Sequence, residues 1–125
     1  MTAEPIDRSV FEALVEMTGG EMEFVDELVD TYLEDGQQQI AALRDAIATA
    51  DTASLVRPAH SMKSNSLNVG AMVLGGLCRE LEEQARTGAV PDAAQRVATI
   101  EERFVGVRSA LLAERADRGG PTAAA

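Results

Sequence analysis

His60 is the only histidine and Lys63 the only lysine in the 125 residues. On a helix, a spacing of three puts them one turn apart on nearly the same side. A neutral imidazole is a nucleophile at physiological pH through whichever ring nitrogen lacks a proton. A phosphoryl group accepted there is held by a P–N bond that transfers readily onward. An ammonium group one turn away can reach the phosphoryl oxygens and offset charge during the transfer. Other chemistries are poorly provided for. One histidine leaves no zinc constellation, and one cysteine, Cys78, leaves no internal disulfide. No glycine-rich phosphate loop is present, and no acidic pair is placed to hold Mg²⁺. Metal and acceptor carboxylate must then come from a partner.

The elements that position these residues read as helices throughout, with no β-alternation. The chain has the length of one domain, and its 46% hydrophobic content comes with only 3% aromatic residues and no tryptophan. The core must therefore be built from aliphatic residues, methionine and alanine, which suits interlocking helices. Asp7 is placed to cap a short helix to about Met17, after a loose lead-in over residues 1–6. A longer helix is expected from about Glu21 to Ala50, burying Phe24, Leu28, Val29, Tyr32, Leu33, Ile40, Leu43 and Ile47. Gly36 inside it reads as a bend or a tolerated surface glycine. Asp51 suits the cap of a helix running to about Asn68. There Leu55, Ala59, Met62 and Ser66 form the core stripe, with His60 about 130° and Lys63 about 70° from its centre. Pro58 either bends this helix or lies in the first turn of one that starts late. Gly70 is placed for a left-handed turn. The next helix, to about Arg86, buries Leu74, Leu77, Cys78, Leu81 and Ala85, which makes Cys78 a core thiol. Its Gly75-Gly76 pair costs about 2 kcal/mol of helix stability relative to two alanines, so a close backbone approach by a neighbouring helix or a partner is expected there. A last helix, from about Pro91 to Arg115, carries Val97, Ile100, Phe104, Val107 and Leu111. The methionines read as core filler, and residues 119–125 as an unstructured tail. The architecture is all-α: an antiparallel four-helix bundle with a short additional N-terminal helix, in one domain over residues 1–118.

The stretch His60-Ser-Met-Lys63-Ser64-Asn-Ser-Leu67-Asn-Val-Gly70-Ala71 resembles the signature of the histidine-containing phosphotransfer (HPt) domain. The likeness continues into Leu77-Cys78-Arg-Glu-Leu81-Glu82. The resemblance implies a phosphocarrier rather than an enzyme: His60 exchanges a phosphoryl group with receiver-domain aspartates in a multistep two-component phosphorelay, and Lys63 stabilises its charge. It implies response-regulator receivers and a hybrid sensor histidine kinase as partners, with the receiver bringing the aspartate and Mg²⁺. It also expects a polar residue of the next helix to hold the other ring nitrogen, and alignment through Gly70 and Cys78 puts Glu82 there, where the family often has glutamine. Ser64 stands where the family usually has glycine. It is still small enough for a partner to approach, and its hydroxyl can donate to phosphate.

The same helical arithmetic puts Val56 and Leu67 beside His60, an apolar rim on which a receiver could dock. Gly75, Arg79 and Arg86 are the expected neighbouring contacts. The alternative to a phosphocarrier is a helical adaptor that binds receivers or kinases without carrying phosphate. No cofactor of its own is expected. A net charge of −10 speaks against a grip on nucleic acid or anionic lipid. No apolar run is long enough to span a bilayer, and no leader is legible. A cytoplasmic monomer is expected.

Overall fold

The computed structural model describes residues 5–117, all of whose regular elements are helical. Helix α1 spans Arg8–Met17, α2 Met22–Ala48, α3 Val56–Asn68, α4 Met72–Arg86 and α5 Ala93–Asp117, with a 3₁₀ turn, Thr52–Leu55, leading into α3. Helices α2–α5 form the bundle, α3 and α4 packing most extensively, and α1 lies against α3. The expected all-α bundle with a short first helix is the observed fold. The expected tail at 119–125 lies outside the described residues.

Local chemistry accounts for the boundaries. Asp7 caps α1 by accepting the Ser9 amide at 2.9 Å, and Asp51 caps the 3₁₀ turn through the Ser54 amide at 3.3 Å. Pro58 is the third residue of α3, where its missing N–H costs no intrahelical bond. The late start is therefore the realised alternative: the 3₁₀ turn reorients the chain, and α3 begins two residues before the proline. Gly70 takes φ +90° between α3 and α4, and its carbonyl accepts the Asp7 amide at 2.6 Å, tying the start of α1 to this turn.

The core is aliphatic as expected. Phe11, Val25, Val29, Leu43, Leu55, Met62, Leu74, Cys78, Leu81, Ile100, Val107 and Leu111 are almost fully enclosed, and burial pushes the Cys78 thiol up to about 12. Tyr32 stacks obliquely on Phe104 at 5.9 Å between ring centroids, and its hydroxyl pairs with that of buried Ser66 at 2.8 Å. A serine on the core stripe of α3 thus has its polar group satisfied. Ion pairs brace the outer helices: Arg115 joins α5 to Asp26 and Asp30 of α2, and Arg8 of α1 reaches Glu114 of α5 at 3.0 Å.

Four expectations need correction. Phe24 and Leu28 are 50% and 40% exposed rather than buried, because the inward stripe of α2 runs through Val25, Val29, Tyr32, Gly36, Ile40 and Leu43, one residue out of phase with them. Gly36 is a core position, neither a bend nor a surface glycine. A β-carbon there would lie 2.6 Å from Phe104 Cζ, so its absence admits the ring. Of the methionines described, Met62 is core, whereas Met17 is 83% and Met72 46% exposed. Finally, the lead-in is not loose at its end, where Ile6 is buried.

Candidate functional site

His60 lies in the second turn of α3, on the flank away from Ala59 and Met62, and its side chain is 53% exposed. Directly across, α4 presents Glu82, whose side chain is only 7% exposed. His60 Nδ1 is 2.9 Å from Glu82 Oε2. An ionised carboxylate can only accept, so Nδ1 carries the proton and donates, leaving the Nε2 lone pair free. Lys63 Nζ lies 2.9 Å from the other carboxylate oxygen, Oε1. Arg86, one turn further along α4, donates to Oε2 from Nη2 at 2.8 Å and from Nε at 3.3 Å.

One acid therefore gathers the lone histidine, the lone lysine and an arginine. Burial opposes ionisation of Glu82, but the hydrogen bonds from Lys63, Arg86 and His60 outweigh it and hold the carboxyl down to about 2. The carboxylate is charged throughout the physiological range. Lys63 is partly covered, and Ser64, four residues after His60 on α3, is half-buried. Glu82 is the acid that bonds the imidazole. What the site offers is an oriented, half-exposed imidazole whose carboxylate partner also holds two cations.

Spacing alone could not reveal that Arg86 belongs to this cluster. The sequence reading gave it to a partner, although Glu82 and Arg86 stand in the i, i+4 relation of a helical ion pair. Arg79 is similarly paired, with Glu83 at 3.2 Å, and exposed. Gly75, expected as a partner contact, stands between helices. It is buried, and a β-carbon there would lie 2.6 Å from Leu67 Cδ2, so the expected close approach is that of α3 on α4 at Gly75, whereas Gly76 has open space around it. Val56 and Leu67 are only partly exposed: Val56 packs on the core, and Leu67 covers Gly75.

Leu67 also borders an apolar groove of about 650 Å³ lined by Val10, Leu14, Met17, Leu28 and Val69 together with Asp35 and Asn65, which bond each other at 2.9 Å. The exposed Phe24 extends this surface along α2. The hydrophobic residues misassigned to the core are thus the ones that make a continuous apolar surface near α3.

Residues 27–115 match the Hpt domain family. Among solved structures, the chain is similar to histidine-containing phosphotransfer protein B from Pseudomonas aeruginosa PAO1, with 34% identity and a TM-score of 0.82, covering 91% of this chain and 96% of the other. No curated protein matches significantly.

Proposed function

The chain belongs to the Hpt domain family and is a histidine phosphotransfer protein of phosphorelay signalling, and from that premise we propose that His60 is the residue that accepts and donates the phosphoryl group. As an Hpt protein it carries phosphoryl rather than turning over a substrate of its own, and its exchange partners are receiver domains and kinases. One observation supports the assignment to His60: Glu82 engages Nδ1 at 2.9 Å, which fixes the tautomer and leaves Nε2 unprotonated on a half-exposed side chain. In this reading Nε2 attacks the phosphorus of a receiver aspartyl phosphate. The O–P bond breaks with its electron pair returning to the aspartate, the N–P bond forms, and the Nδ1 proton stays on the ring against Glu82. The return reaction reverses each change.

The receiver would bring the aspartate and Mg²⁺, and Lys63 would neutralise phosphoryl charge. Ser64 would keep the approach to Nε2 low, with its hydroxyl available to the phosphate. A hybrid sensor kinase at the head of the relay, a monomeric carrier and a cytoplasmic setting complete the proposal. Among the described residues no helix is long and apolar enough to cross a membrane.

His60→Gln tests the assignment. With the side chain half in solvent, its replacement should shift stability by less than about 1 kcal/mol. Phosphoryl uptake from a ³²P-labelled receiver should vanish. A folded variant that still takes label would move the acceptor to another residue.

A further inference from the structure

Lys63 is not an idle cation waiting beside the histidine. Its ammonium is 2.9 Å from Glu82 Oε1, and the other oxygen of the same carboxylate is taken by His60 and Arg86. A phosphoryl group on Nε2 would be a dianion next to this arrangement, with the ring made cationic by the proton retained on Nδ1. Glu82 attracts that nearby ring charge and repels the larger but more distant phosphoryl charge, so its two direct effects oppose each other. Competition for Lys63 is then the term that decides.

Taking His60 as the phosphoryl carrier, we infer that Glu82 holds the Lys63 ammonium in the unphosphorylated chain, and that the phosphoryl group must draw this ammonium away from the carboxylate. Glu82 is thereby a positioning residue that sets how phosphoryl is shared between carrier and receiver. The work of separating Lys63 from Glu82 is subtracted from what the lysine contributes to the phosphorylated state. A glutamine at 82 could still accept from Nδ1 through its amide oxygen, but it would hold the ammonium far less firmly. The carboxylate thus favours onward donation over storage.

Glu82→Gln should raise the equilibrium ratio of phospho-carrier to phospho-receiver by about tenfold, the scale of one charge-assisted hydrogen bond. Lys63→Ala should then lower that ratio by a larger factor in the Glu82→Gln background than in the wild type. A direct readout exists because Lys63 is the only lysine: ¹⁵N-lysine labelling gives a single ammonium signal. That signal should shift when wild-type protein is phosphorylated with phosphoramidate. An unchanged or reduced ratio in Glu82→Gln, or an ammonium signal indifferent to phosphorylation, overturns the exchange of partners. Failure of the wild type to take label on His60 would instead remove the carrier assignment on which the inference rests.

Discussion

A carboxylate removed from water is costly unless its oxygens are well occupied, and Glu82 meets that condition with an imidazole N–H, an ammonium and a guanidinium. This has a consequence for acid stability. A carboxyl group held at about 2, below its ordinary value of 4.5, favours the folded state while it is ionised. Its contribution is fully present above pH 4.5 and is lost as the pH falls through the interval down to about 2. The stability gap between wild type and Glu82→Ala, read from urea unfolding, should therefore be constant from neutrality to about pH 5 and narrow below pH 4.5. A gap that stays constant to pH 2.5 would mean that Glu82 gains nothing from its partners. Of this cluster, His60 and Lys63 were legible because each is the only residue of its type in the chain, and Glu82 only through the Hpt resemblance, whose pattern aligned on Gly70 and Cys78 expects a polar residue there. Arg86 was missed. A surface arginine on an acidic protein reads as partner-directed until the depth of Glu82 is known, and depth is a tertiary property.

At the level of the helices, the turn at Gly70 does more than end α3. Its φ of +90° disfavours any other residue, and a β-carbon there would lie 2.7 Å from the Asp7 carbonyl, an unyielding backbone atom. Gly70→Ala should cost about 2–3 kcal/mol, visible as a lowered urea midpoint. Loss of the docking between the start of α1 and this turn should accompany it. If the midpoint barely moves, the Asp7–Gly70 junction is not part of the cooperative fold. Helix number, order and approximate ends followed from caps, glycines and three- to four-residue spacing. The phase of α2 did not, because its inward stripe passes through Gly36, a residue with no hydrophobic signal of its own. Only the position of Phe104 on α5 makes that glycine a core residue. Pro58 was ambiguous for a related reason: whether it bends a helix or opens one depends on the 3₁₀ turn before it.

Across the whole molecule, the net charge of −10 opposes a general affinity for polyanions. Met17, Phe24 and Leu28 form an exposed apolar surface beside the groove next to Leu67, a place where a receiver docking alongside α3 would bury apolar area. Met17 is the most exposed of these, so Met17→Asp should leave the melting temperature within about 2 °C of wild type. If the receiver covers this surface, the variant should weaken binding by about 1–3 kcal/mol, measured by titration calorimetry. Full affinity in a folded Met17→Asp variant would place docking elsewhere around His60. Leu67 is a poorer probe than its place beside His60 suggests, because it also fills the space over Gly75 and its loss would disturb the fold.

The ion pair between Arg8 and Glu114 joins the first helix to the last turns of α5, so the bundle nearly closes on itself. Where a polypeptide begins is then a matter of bookkeeping rather than of architecture. A circular permutant that links Asp117 back to Pro5 through a glycine-serine bridge and opens in the exposed Thr87–Ala89 loop should assemble the same helices. It should pass phosphoryl to a receiver at the parental rate, since both halves of the His60–Glu82 pair lie on the same side of the cut. A helical but transfer-dead permutant would mean that the order in which the helices are joined helps to hold the site together.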